Sequence, residues 1–435
     1  MGKTIYMFAS LAARCDKGVT CVSGMRRLAR TLHPHGVKIT WIVSVDSAKA
    51  AAAELRHWHD DFGDDIAVYT PTLTGDVDAK CDQMVQTRDA VGAALPWASL
   101  TIAAGGHQDP DIPVVLENTG FEGLWGFCWE QIEVDEITDR GCPWGFYYMD
   151  PADRLRPARE TGVIGMEWTA RDLLKSYHSG NPCLYSTDPN DVARGGLCSW
   201  EHIDYWKGLA DNYLRNERYN PYIFLLQHQE AHEMERSSLF RCYTEEDIRE
   251  SAVQLDAFAR YIKDRVTMMT LPEAARLYRE KAAHTLSSYM LWEDTPTPPH
   301  NRDYAWNMAC GPWPKTFLYY DRGAQMVFIN GKVEPVCIRN YARPYKPGEY
   351  FAEPHIPRPR LERDIRHSWS RDLKIVVHSP RVMPYGLALW GDYALYQIGD
   401  APDLVEGKMI SRELLFLRYE LAKGRNVFRI TLEGK

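Results

Sequence analysis

Carboxylates and histidines recur where apolar runs of this chain stop. Gly123-Leu-Trp125-Gly-Phe-Cys-Trp129 is an aromatic, apolar run that reads as a buried strand, and Glu130 follows at once. Trp144-Gly-Phe-Tyr-Tyr-Met reads as a second strand and ends in Asp150. Gly162-Val-Ile-Gly-Met ends in Glu167, beside Trp168. Asn220-Pro-Tyr-Ile-Phe-Leu-Leu ends in Gln227-His228-Gln-Glu230-Ala-His232-Glu233, the densest polar cluster of the chain. The first strand is followed by Asp16, and Leu100-Thr-Ile-Ala-Ala-Gly-Gly by His107 and Asp109. Two chemistries suit such residues. A pair of carboxyl groups across a glycosidic bond, about 5–5.5 Å or about 6.5–9.5 Å apart, cleaves it with retention or inversion. Apolar rings such as Trp125 and Trp129 raise a neighbouring carboxyl pKa, which fits Glu130 as acid or nucleophile, with Asp16, Asp150, Glu167 and Glu230 as partners. Alternatively, His228 and His232 would share a face if they lay on a helix. There they could hold zinc, with His107 or a carboxylate as third ligand. The plainer reading of both histidines is hydrogen-bonded or substrate-binding groups at a strand end. For His107 and Asp109 a simple turn role is an equal expectation. The cluster is not HExxH, and no Gly-x-Ser-x-Gly elbow, phosphate loop or dinucleotide fingerprint occurs. Zincins, serine hydrolases, kinases and nicotinamide enzymes are therefore set aside.

The elements that must position these groups alternate. Strands are predicted at 4–11, 35–45, 66–69 and 100–106, and helices at 22–32, 48–62, 77–95 and 112–118. The central stretch 121–150 reads as strand, carboxylate, short helix, strand, carboxylate. Residues 151–215 read as irregular. A strand at 220–226, an amphipathic helix at 245–264 with Ile248, Val253, Leu255, Phe258 and Ile262 inward, a short strand from Val266 and a helix at 272–282 complete the run. Strand–helix alternation with short links predicts a parallel sheet, and the ends of such strands are the default place for catalytic groups. After Ala282 the pattern changes. Thr295-Pro-Thr-Pro-Pro reads as a linker, and short β runs follow, with Asn330-Gly331 as a hairpin signal. The expected fold is α/β: a distorted (β/α)7-type barrel over 1–285, a linker at 286–300 and a smaller β-sandwich-like domain over 301–435.

Composition narrows the partners. A net charge of −8, with no basic stripe, argues against nucleic acid. No apolar run reaches the roughly 20 residues of a membrane span. Ten cysteines lie scattered without a CxxC pair, which fits free cytosolic thiols. The N-terminus shows no signal-peptide pattern, so the expected location is cytoplasmic, or outside the cell if a leader has been removed. Association into a homo-oligomer is kept open. Fourteen Trp and 24 Tyr favour a flat, hydroxylated ligand such as a sugar.

Over roughly residues 3–283 the chain resembles the polysaccharide deacetylase superfamily (the NodB-type deacetylases) and the related seven-stranded-barrel glycosidases. Asp16-Lys17-Gly18 leads to Gly36-Val-Lys-Ile-Thr-Trp-Ile-Val, where the deacetylases read Asp-Asp-Gly and then Gly-Val-Lys-Ala-Thr-Phe-Phe-Val. Leu225-Leu-Gln-His228 matches their late Leu-x-x-His, and Thr270-Leu-Pro-Glu their usual ending. The resemblance implies that Asp16 keeps the position of the family's base. Lys17 stands where a second Asp would bind metal, and a charged lysine cannot coordinate. The His-x-x-x-His pair of the family is absent near 66–72. The glycosidase branch implies a nucleophile at Glu130.

These readings lead to a carbohydrate-active hydrolase, with glycosidic cleavage by a carboxylate pair first and no cofactor. The alternative is a metal-dependent deacetylase or amide hydrolase on a sugar, using a divalent ion such as zinc at His228 and His232. The second alternative is a non-catalytic sugar-binding protein. Asp16, Glu130, Asp150 and Glu230 are the candidate catalytic residues. Trp125, Trp129, Trp168, His107, His228 and Glu167 are the candidate substrate-binding residues.

Overall fold

The structure, a computed structural model, describes residues 4–12, 21–106, 109–127, 146–157, 161–170, 203–236, 244–285, 288–293, 316–321, 326–329, 332–335, 359–363, 365 and 370–435. They fall into two compact units, one reaching Thr285 and one made of the strands that follow it.

The first unit is built on β1 (Thr4–Leu11), which is buried at every position. A strand covered on both faces needs a continuous apolar run, not alternation, and Ile-Tyr-Met-Phe-Ala supplies one. Parallel neighbours take up both of its edges: β2 (Ile39–Val43) pairs with Phe8–Leu11, and β9 (Ile223–His228) with Thr4–Ala9. Beyond β2 come β3 (Asp65–Tyr69), β4 (Ile102–Ala104), β5 (Gly123–Phe127) and β8 (Ile164–Glu167), each parallel to the last. A two-residue β10 (Thr267–Met268) lies parallel beside Ile5 and Tyr6. The sheet curls until its edges meet, and the Ala170 N–H donates to the Leu226 carbonyl across the seam at 2.6 Å. The expected α/β barrel is thus the fold of this unit.

Between the parallel strands run α1 (Val22–Leu32), α2 (Val45–Ala50), α3 (Ala52–Phe62), α4 (Val77–Ala94), α5 (Ile112–Asn118), α6 (Asp204–Arg215), α7 (Glu245–Ile262) and α8 (Leu271–Lys281). Their starts are capped as the sequence allows. Ser44, Asp76, Thr244 and Thr270 each accept an N–H from the first turn of α2, α4, α7 and α8. Strand alternation sends Ile5, Met7, Ala9 and Leu11 inward to meet Ile42, Ala67, Ile102, Ala104, Ile164, Met166, Phe224 and Leu226 in one core. The lower end is plugged by α8, whose Leu271, Ala274, Ala275 and Tyr278 belong to that core together with Phe146 and Tyr148.

Several expectations are corrected. Asp150 ends β6 (Tyr147–Asp150), which runs antiparallel to β8, with Tyr147 opposite Gly165 and Tyr148 opposite Ile164. With β7 (Asp153–Pro157) it forms a hairpin filling the lower half of the seam. Asp150 therefore points away from the strand C-termini, and its Oδ1 accepts the Ala152 N–H at 2.8 Å in the hairpin turn. The stretch read as irregular contains β8 and α6. The predicted helix at 48–62 is two helices, α2 and α3. The strand predicted from His35 starts at Ile39, because His33–His35 form a 3-10 turn closed by left-handed Gly36. Val253 of α7 is exposed, not inward. The helix predicted after Glu130 lies outside the described residues.

The second unit is all β. Strands β11 (Ser288–Glu293), β12 (Thr316–Asp321), β13 (Met326–Ile329) and β14 (Lys332–Pro335) form one antiparallel meander. Ile329 faces Lys332 across the Asn330-Gly331 signal. A second sheet has the order β15 (Arg360–Leu361), β16 (Asp372–Ser379), β21 (Gly424–Gly434), β18 (Tyr396–Ile398), and a third the order β17 (Met383–Trp390), β20 (Leu414–Leu421), β19 (Glu406–Ser411). The Tyr419 ring stacks on Phe428 at 4.1 Å, so the second and third sheets face one another as in a sandwich. The Tyr393 hydroxyl is pushed up to about 12 by burial.

At the lower end of the barrel, Asp64 is a fully buried carboxylate. It accepts the Ile39 N–H (2.9 Å) and the Trp41 indole N–H (2.7 Å), and His33 Nε2 lies 3.1 Å from both of its oxygens. Its own carbonyl lies 2.7 Å from His59 Nδ1. One side chain thus fixes the entry of β2 and the turns before β2 and β3. Removing it strands buried donors. Urea denaturation of Asp64→Ala is expected to show a loss of about 3–5 kcal/mol, the range for breaking a buried charged network; a loss below about 1 kcal/mol would contradict this role.

Candidate functional site

The period of two along β9 sends Phe224, Leu226 and then His228 to the barrel interior, so a histidine stands at the C-terminal mouth. Two indoles flank it. The ring centroids of Trp125 and of Trp168 each lie 5.1 Å from the imidazole. Trp125 comes from β5, where Gly126 (φ 128°) is an extra residue: Trp125 faces Met166 and Phe127 already faces Glu167. This bulge needs a residue at ease in the left-handed region, and it re-aims the strand end. The Trp125 indole N–H donates to the Trp168 carbonyl at 3.1 Å, and the Trp168 N–H to the Phe127 carbonyl at 2.7 Å. The strand ends that carry the two indoles are therefore tied together. His228 and Trp125 are buried, and Trp168 is partly exposed.

The chain does not continue from His228 as a helix. The Gln229 N–H bonds back to Ala9, and Ala231–Met234 make a 3-10 turn. His228 and His232 therefore do not share a helical face, which corrects that premise of the zinc reading. His232 Nε2 lies 2.5 Å from Glu230 Oε2, and both groups are buried. The Gln229 amide donates to Glu233 Oε2. The turn is pressed against α1: a Cβ on Gly24 would stand 1.7 Å from the Ala231 carbonyl oxygen. Glu235 closes the join by accepting the Gly24 N–H at 2.9 Å. Burial raises the Glu235 carboxyl above its ordinary value, against the lowering effect of that hydrogen bond and of His232 and Arg27.

Of the residues singled out from sequence, Trp125, Trp168 and His228 come together, and Glu230 meets His232. Glu167 ends β8 and is buried, on the strand face opposite Met166 and Trp168. Asp150 lies at the other end of the barrel. Asp16, His107, Trp129 and Glu130 lie outside the described residues. Asp109 accepts the Asp111 N–H of its own turn at 2.9 Å, and Lys80 Nζ is held at 2.8 Å by Asp109 and at 2.7 Å by Asp111. Burial lowers the Lys80 pKa, and the two carboxylates outweigh it, leaving the group raised. Glu235, Gly24 and the bulge at Gly126 were missed. The sequence carries no periodic signal for a glycine that admits a neighbouring carbonyl.

The donors do not make a metal site among the described residues: no three His, Cys, Asp or Glu side chains gather around one point. No helix among the described residues is long and apolar enough to cross a membrane.

No protein-family model matches the chain, and no curated protein matches it. Similar solved structures include two described as polysaccharide deacetylases, the superfamily that the sequence resembles. The one from Mycobacterium smegmatis has 13% identity and a TM-score of 0.42, over 66% of this chain and 94% of that one. The one from Pseudomonas aeruginosa PAO1 has 14% identity and a TM-score of 0.41, over 65% and 93%. A 4-alpha-glucanotransferase from Thermococcus litoralis has 8% identity and a TM-score of 0.40, over 100% of both chains.

Glu235 gives a pH prediction. Its folded-state pKa is raised, so the folded form holds the proton more tightly than the unfolded form. Its contribution to stability is complete below the ordinary carboxylate pKa and is lost as pH rises through the raised value. Glu235→Gln is expected to flatten the fall in stability across that window while keeping an acceptor for Gly24. Denaturant midpoints of both proteins between pH 4 and 8 check this, and parallel curves would refute it.

Proposed function

We propose that this chain is a carbohydrate-active hydrolase that removes an acyl group, bound as ester or amide, from a sugar. The observation that carries the proposal is the imidazole at the C-terminal mouth of a parallel barrel, set between two indoles. Strand C-termini are where barrel enzymes place their chemistry. In this reading water gives a proton to Asp16 and adds to the acyl carbon, and as the tetrahedral intermediate collapses the C–O or C–N bond breaks and His228 gives a proton to the leaving oxygen or nitrogen. Trp168, partly exposed, offers an apolar face to the sugar ring, and Trp125 holds the imidazole from the other side. The turn 229–235 supports the mouth from behind, with Glu230 and His232 joined and Glu235 anchored to α1.

The sequence put glycosidic cleavage by two carboxylates first. We put deacylation first instead, on the placement of the described carboxylates. Asp150 sits at the opposite end, Glu167 lies on the strand face away from the interior, and the Glu230 carboxylate lies against His232. Among the described residues a histidine occupies the interior position at the mouth. Asp16 keeps its expected role as base in this proposal.

The test is a panel of acetylated and N-acetylated oligosaccharides, with acetate followed by NMR and new reducing ends by a copper assay. Acetate release that falls about 10²–10⁴-fold in His228→Asn is the expected result, the range for losing a general acid. New reducing ends without acetate would move the chain to the glycosidases. Binding without turnover would make it a sugar-binding protein.

A further inference from the structure

A cavity of about 680 Å³ lies on the outer wall of the barrel, between α1 and α3. Its volume falls in the range of small-ligand sites. Arg26, Arg30, His33, His57, Trp58 and Phe62 line it, and no carboxylate does. Its floor is aromatic. His33 stacks on Phe62 at 4.0 Å with planes 10° apart, and Trp58 meets His33 edge-on at 6.2 Å. The floor is also rigid, because His33 is held by the buried carboxylate of Asp64. Phe62 is nonetheless 40% exposed, so a fixed ring is presented to solvent. Basic groups edge it, and His57 Nδ1 lies 3.1 Å from an Asp61 carboxylate oxygen. The Arg26 guanidinium is bridged to Glu54. Arg30 donates its Nε–H to the Arg26 carbonyl at 3.1 Å, which leaves the rest of its guanidinium turned to solvent with no carboxylate partner.

We propose that this groove binds a pyranose ring bearing a carboxylate, as one residue of an acidic glycan chain. The inference rests on the carbohydrate reading above and adds the charge of the glycan and a second place of attachment. The apolar face of the ring lies on Phe62, and the carboxylate pairs with Arg30, for which a planar guanidinium fork is well shaped. A floor that is already ordered loses little freedom on binding. The net charge of −8 repels acidic polymers elsewhere on the chain, so the guanidinium of Arg30, which has no carboxylate partner, selects where such a chain attaches.

The experiment is calorimetric titration of the full chain with hexagalacturonate, neutral cellohexaose and hexaglutamate. Hexagalacturonate is expected to bind at least tenfold more tightly than either control. Its affinity is expected to fall at least tenfold in Arg30→Glu and in Phe62→Ala, both surface changes, and to weaken as salt is raised from about 50 to about 500 mM. His228→Asn is expected to leave this binding unchanged. Equal binding of cellohexaose would overturn the role of charge, and equal binding of hexaglutamate the role of the sugar. Absence of binding, or unchanged affinity in both groove variants, would overturn the site. Deacylation is read separately. Loss of the acyl-hydrolase reading with groove binding intact removes only the proposed function, and the converse removes only the groove.

Discussion

The first unit depends on closing the two edges of a parallel sheet. A buried strand edge must satisfy every N–H and C=O. Here β1 is satisfied by β9 on one side and by β2 and β10 on the other. The remaining edges, on the β8 and β9 sides, are joined above by the Ala170 N–H and the Leu226 carbonyl. Below, the β6–β7 hairpin adds to the β8 edge, with β6 paired to β8. The Tyr148 hydroxyl donates to the Ala282 carbonyl, and Thr285 accepts the Tyr148 N–H, so the hairpin is stitched to the end of α8. The seam is thus closed by local pairing above and by an inserted element below.

That closure separates the barrel into two polar ends with different chemistry around a dry middle. The interior between them is filled by Met7, Ala9, Ile42, Ala67, Ala104 and Leu226. At the lower end, Asp64 answers donors from β2 and the preceding turn, and its charge is consumed in holding backbone and rings in place. At the upper end, the Trp125–His228–Trp168 group presents an imidazole whose ring neighbours are aromatic. The turn behind it is dense in carboxylates, and these face His232, Gln229 and α1. At the lower end the described partners are backbone and ring N–H groups, whereas at the upper end two indoles lie against the imidazole. The difference between the two ends is therefore one of partners, not of residue types.

Much of the scaffold was legible in the sequence. The strand at 4–11, the helices at 22–32 and 112–118, and the amphipathic helix α7 follow from apolar periodicity, which acts over a few residues. The alternation also implied a parallel sheet, and the run ending in His228 implied a strand with a polar end. Tertiary structure decided the rest. The direction of β6 cannot be read from Tyr-Tyr-Met-Asp, because a four-residue apolar run pairs equally well either way. Its antiparallel course removed Asp150 from the mouth. The single-residue bulge at Gly126 set Phe127 opposite Glu167, and no local pattern encodes which residue of a partner strand goes unpaired. Gly24 looks like an ordinary helical glycine until the Ala231 carbonyl is brought against it. Local chemistry determined which segments fold and which polar groups end them. Long-range pairing, which depends on residues far apart in sequence, determined which of those groups meet.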